Sequence, residues 1–143
     1  MKLDRERIEE LVPHSGAMCL LDEVTGWTPT AITCSSAAPT VAHPLARAGA
    51  LSAIAATEYA AQATAVHGAL LEQARRPRAG MLAALVDVQL GQAVRVGGAA
   101  LSIEAELLSR SAAGCLYTFR VSAESAPVAS GRLMVALLPE PAP

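Results

Sequence analysis

LSAIAATEYAAQATAVHGALLEQA, residues 51–74, reads as the body of one long helix running from Ala50 to Ala74. With Glu58 as reference and about 100° of turn per residue, Leu51, Ile54, Ala55, Ala61, Gln62, Ala65 and Ala69 fall within about 60° of it, the apolar stripe of a 3.6-residue period. A carboxylate inside such a stripe is out of place, because a charged group is rarely taken out of water without a partner. The opposite side carries Ala53, Ala56, Ala60, Ala63, Leu70 and Leu71 together with Thr64 and His67, so it is not strongly polar either. A helix that is apolar nearly all round is covered on most sides. Its alanines also let neighbouring backbone come close. The expectation is a buried central helix wrapped by other elements and carrying one acid, with His67 turned to the outer face.

At 143 residues the chain is expected to form one domain over 1–138, followed by a disordered proline-rich tail over 139–143. Apolar residues make up 52% and aromatics only 3%, so the core must be built from Ala, Leu and Val. A net charge of −2 and the lack of a basic run with interleaved aromatics argue against nucleic acid as a partner. MKLDRERIEE, at the start, is charged and has no apolar secretory region, which points to a cytoplasmic protein. No apolar run is long enough to span a membrane. Cys19, Cys34 and Cys115 are scattered without CxxC spacing and read as reduced core thiols.

In chain order, Asp4–Leu11 has helical spacing and is stopped by Val12-Pro13. Cys19–Trp27 and Ala31–Ser36 flank Thr28-Pro29-Thr30 as a hairpin, and 37–49 is a loop leading to the long helix. Four strands follow. Met81–Leu90 is apolar on both parities, as for a strand buried on two faces. Leu101–Leu107 and the run through Tyr117, Phe119, Val121 and Ala123 alternate, giving each strand one wet face. Val128–Leu138 is the last. Strands joined by short turns favour an antiparallel sheet, and a single apolar helix must be buried against it. The fold class is α+β, and an antiparallel sheet curled around one long helix is the hotdog architecture. Open sheet edges and the over-apolar helix favour a dimer joined along an edge.

Two stretches carry a family resemblance. VPHSGAMCLLDEV, 12–24, resembles the opening of bacterial 3-hydroxyacyl-ACP dehydratases of the hotdog fold, and TEYAAQA, 57–63, resembles the E-x-x-A-Q segment of their central helix. HPL-x(3)-G-x-L, 43–51, followed by EYAAQATAVHG, 58–68, is similar to the aryl-polyene-type branch of these enzymes. The resemblance covers about residues 8–138. It implies dehydration of an acyl carrier protein (ACP) thioester, or a coenzyme A (CoA) thioester, to the trans-2-enoyl form. It implies no cofactor and no metal, and a homodimer or a heterodimer with a related hotdog subunit. An imidazole would act as base on the α-carbon and a carboxyl group would serve the departing hydroxyl.

Glu58 matches the family's acid by its place before Ala61-Gln62. A general acid must hold its proton near neutral pH, and burial among Leu51, Ile54 and Ala65 would favour the protonated form. The other reading is a buried carboxylate paired structurally. The base has two candidates. The family's His-Phe-Pro-Gly loop is here reduced to His43-Pro44, without the Phe and Gly, while His14 lies in the PHSGAM stretch that carries the strongest opening match. Gln62, one helical turn beyond Glu58, would hold the carboxyl group or touch substrate, or else bond to a loop. Arg47 and Gly49 are further substrate-binding candidates, since a helix start near Gly49–Ser52 would present N–H groups to the thioester carbonyl. Arg75, Arg76 and Arg78 suit an acidic carrier protein or a pantetheine phosphate, and equally a helix C-terminus. Asp22 and Tyr59 read as structural and core residues. The competing functions are a hotdog thioesterase and a non-catalytic acyl-ACP-binding subunit of a heterodimeric dehydratase.

Overall fold

The computed structural model describes residues 2–11, 18–72 and 80–137. A short strand β1 (Leu3–Asp4) leads into helix α1 (Arg5–Leu11), which is followed by the hairpin β2 (Glu23–Thr28) and β3 (Ala31–Ser36). A two-residue strand β4 (Ala50–Leu51) precedes helix α2 (Thr57–Glu72). Then come β5 (Gly80–Leu90), a two-residue β6 (Val94–Arg95), β7 (Leu101–Ser111), β8 (Gly114–Ala123) and β9 (Ala126–Leu137). Seven strands form one antiparallel sheet in the order β1-β2-β3-β7-β8-β9-β5, and β4 pairs with β6 apart from it. The sheet lies against α2, so the expected hotdog layout is the observed one. Among the described residues no helix is long and apolar enough to cross a membrane.

Alternation on β7 turns Leu101, Ile103 and Ala105 inward, and on β8 Tyr117, Phe119 and Val121. With Ile32, Cys34 and Leu133 they pack beneath Ala60, Ala63 and Val66 of α2. Every one of these is under 6% exposed, so the core does lean on small and branched aliphatics. Cys19, Cys34 and Cys115 are free thiols, the first two buried.

Three expectations are corrected. The long helix starts at Thr57, seven residues later than Ala50, because Ala50 and Leu51 pair with Arg95 and Val94 as a strand. Ala48 and Gly49, at φ of 52° and 78°, turn the chain ahead of that strand. Ser52 Oγ then accepts the Ala55 N–H at 3.1 Å and closes a separate turn before the helix. Second, the better-buried side of α2 is the one opposite Glu58. Glu58, Ala61 and Ala65 are half-buried and Ile54 is 50% exposed, whereas Ala56, Ala60, Ala63, Val66 and His67 are fully covered. An alanine-rich helix offers little contrast between its faces, so periodicity alone could not tell them apart. His67 therefore points inward: its Nε2–H donates to Thr28 O at 2.8 Å, its Nδ1 accepts from the Tyr117 hydroxyl at 2.8 Å, and Trp27 meets it edge-on. Third, among the described residues β5 is an edge strand paired only with β9, and Leu82 and Leu90 are exposed rather than covered on both faces.

β5 carries a bulge in which Asp87 and Val88 together face Gly131 of β9. Gly131 has φ of 152°, and a Cβ there would stand 3.0 Å from Val88 Cα and 3.1 Å from the carbonyl oxygens of Val86 and Asp87. Only glycine fits this crossing. Arg132 and Asp87 form an ion pair beside it.

Candidate active site

Glu58 is the second residue of α2 and stands half-buried at the start of the helix. Gln62, one turn on and 3% exposed, donates from Nε2 to Glu58 Oε1 at 3.3 Å. The same amide donates to Met18 O at 2.7 Å, and its Oε1 accepts the Leu20 N–H at 2.8 Å. Gln62 thus ties the chain at Met18–Leu20 to the helix beside the acid, and the two motif-bearing stretches meet at this one side chain. Of the alternatives for Gln62, both holding the carboxyl group and bonding to a loop occur.

Asp22 organises the same stretch from the other side. Its Oδ1 accepts from Arg5 at 3.1 Å and its Oδ2 from the Ala37 N–H at 2.7 Å, joining α1 to the residues just after β3. Ser36 Oγ donates to Leu20 O at 3.0 Å and adds a further tie.

His43 lies in the loop between β3 and β4, half-buried against the neighbouring side of α2. Its Nε2 is 2.9 Å from Tyr59 Oη, and the two rings stack with centroids 5.9 Å apart and planes 27° from parallel. Leu45 donates its N–H to His43 Nδ1 at 3.0 Å. A main-chain N–H only donates, so Nδ1 keeps its lone pair, the neutral ring carries its proton on Nε2, and that N–H donates to Tyr59 Oη. Burial pushes the His43 imidazole below its ordinary pKa. Burial, with a smaller contribution from the Asp22 charge, pushes the Tyr59 phenol up to about 12. This pairing was not anticipated, although a Tyr directly after the acid was its one visible sign.

The remaining candidates are dispersed. Arg47 folds back onto its own loop, donating to Pro44 O at 3.1 Å and Ala46 O at 2.8 Å. Gly49 is exposed at the turn before β4, and its carbonyl accepts the Val96 N–H at 3.0 Å. The expected N–H groups of a helix start at Gly49–Ser52 are not there, because that stretch is a strand and its approach. At the actual start, the N–H groups of Ala56, Thr57, Glu58 and Tyr59 are bonded to the carbonyls of Ser52, Ile54, Ala55 and Ala56. His14, Arg75, Arg76 and Arg78 lie outside the described residues, as does the tail over 139–143.

The geometry therefore joins a carboxyl group, the amide that holds it and an anchored loop, with a neutral imidazole locked to a phenol on the adjoining side of the helix. Against known proteins, the fold matches the dehydratase heterocomplex ApeI:P from Xenorhabdus doucetiae with a TM-score of 0.83 and 24% identity, over 93% of this chain and 91% of that one. A mutant thioesterase from Pseudomonas aeruginosa matches at 0.70 and 15% identity over 96% of each chain. A hypothetical thioesterase with coenzyme A from Streptococcus pneumoniae matches at 0.63 and 9%, over 83% and 87%. At such identities these likenesses speak for the fold alone. No curated protein sequence matches the chain. The ApeP-like family model, described as ApeP dehydratase, matches residues 6–142, and the chain belongs to that family.

Proposed function

We propose that this chain removes water from a 3-hydroxyacyl thioester, carried on ACP or CoA, to give the trans-2-enoyl thioester in fatty-acid or polyene-type biosynthesis. Family membership supports a hydro-lyase. The observation that carries the reading to particular residues is the triple engagement of Gln62 with Glu58, Met18 and Leu20. In the reaction an imidazole, that of His14 or His43, takes a proton from C2 of the acyl chain. The C2–C3 double bond forms as the C3–O bond breaks, and the Glu58 carboxyl gives its proton to the departing hydroxyl, which leaves as water. Proton return from imidazolium to carboxylate restores both groups. Positioned acid–base groups of this kind are worth about 10²–10⁴-fold in rate each.

The half-covered face of α2 and the open edge of β5 support assembly with a second copy or a related hotdog subunit. Arg75, Arg76 and Arg78 suit the acidic surface of a carrier protein, and Arg47 and Gly49 the approach of the thioester. The place of work is the cytoplasm. The second reading is a thioesterase, an activity found on the same fold. It would have Glu58 activate water to release free acid. A non-catalytic role in a heterodimer is favoured by the engagement of both His43 ring nitrogens.

Incubating the purified chain with 3-hydroxyacyl-ACP and weighing the acyl group by mass spectrometry tests the three readings together. The expected result is loss of one water with the thioester intact. Free acid would replace the reading with the thioesterase. Turnover only after a second hotdog subunit is added, undiminished by Glu58→Gln in this chain, would make it the non-catalytic partner.

A further inference from the structure

His43 is bonded at every polar group it owns. Its N–H donates to Thr40 O at 3.0 Å and its carbonyl accepts from the Ala46 N–H at 3.1 Å. On the ring, Nδ1 accepts from Leu45 and Nε2 meets the hydroxyl of Tyr59, which is 2% exposed. A general base needs a lone pair within reach of the proton it takes. The one lone pair of this neutral ring already accepts a main-chain N–H. Releasing it would forfeit that hydrogen bond and leave a loop donor without its partner.

We propose that Tyr59 is a positioning residue that, together with the Leu45 N–H, holds His43 as the Nε2–H tautomer, so that His43 clasps the loop over 43–49 to the first turn of α2 and does not serve as the proton-abstracting base. Only the last clause rests on the dehydratase reading. The clasp explains why Tyr59 sits beside Glu58 in sequence yet turns about 100° away from it, where it meets the loop rather than the acid. It also gives the reduced His-Pro loop a physical purpose: without the family's Phe and Gly, the loop is held by a hydrogen-bonded ring.

The test is ring-nitrogen NMR on the full-length protein at mildly alkaline pH, where imidazoles are neutral. Of its three histidines, His43 is assigned by the signals that vanish in His43→Gln. The expected wild-type pattern is a single Nε2–H tautomer at His43, kept in Tyr59→Phe because the Leu45 N–H still fills Nδ1, with the Nε2–H resonance displaced by the loss of its phenol acceptor. An Nδ1–H ring, or an Nε2–H resonance indifferent to Tyr59→Phe, overturns the clasp. In turnover of a 3-hydroxyacyl thioester, His43→Gln, whose amide can still donate to Tyr59, is expected to lose about tenfold or less. A loss in the general-base range of about 10²–10⁴-fold, with the unfolding midpoint unchanged, overturns the division of roles. If the wild type turns over no such thioester, alone or with a second hotdog subunit, the dehydratase reading fails by itself, while the tautomer measurement still decides the clasp.

Discussion

Glu58 and Gln62 divide two tasks that look alike in sequence. Glu58→Gln keeps the size and a hydrogen-bonding amide but has no proton to give, so turnover should fall by about 10²–10⁴-fold with the assembly and unfolding midpoint unchanged. Unaltered rates would remove Glu58 from its role. Gln62→Leu should act on the fold as well. It strands the buried Leu20 N–H and Met18 carbonyl, and about 2–4 kcal/mol of lost stability should be read in urea unfolding. A loss below about 0.5 kcal/mol would mean that water replaces the amide. The spacing of these two residues made their partnership legible in the sequence, since residues four apart share a helix face. The His43–Tyr59 bond was not legible, because it spans a loop whose course depends on where α2 begins.

At the scale of elements, α2 is fastened at its far half by His67, which reaches Thr28 in β2 and Tyr117 in β8. Burial holds this imidazole neutral and lowers its pKa, an effect that the Thr28 bond opposes and the Arg110 charge reinforces. The unfolded chain then binds the proton more readily than the folded one. The stability from neutral His67 is complete above the unfolded value of about 6.5 and is lost as pH falls towards the folded value. The unfolding temperature should drop as pH falls below about 6.5, and His67→Gln should flatten that drop; equal slopes in both proteins would place the acid sensitivity elsewhere. The β7 and β8 alternation was legible because one face of each strand is wet. The α2 start and the place of His67 were not. Alanines favour helix without marking its ends, and the expected helix face was drawn around the acid instead of around the sheet.

For the whole molecule, β5 is the strand that the sequence misrepresents, and the reason is physical. Its apolar residues on both parities suited burial on two faces, yet among the described residues Leu82 and Leu90 are open to solvent and the outer edge is unpaired within the sheet. Leu82→Glu should therefore shift the proposed dimer towards single chains in analytical ultracentrifugation with little change in circular dichroism. An unchanged sedimentation profile would assign the contact to another surface. The loop around His43 is also held at its two ends to the stretch from Val94 to Gly97: Gly97 N–H to Pro39 O at 2.8 Å and Val96 N–H to Gly49 O at 3.0 Å, followed by the β4–β6 pairs. Peptide groups are the same whatever residue carries them. Apart from His43, whose ring bonds Tyr59, and Ala48 and Gly49 at positive φ, the loop can thus change its side chains while its outline stays put, at small cost to folding.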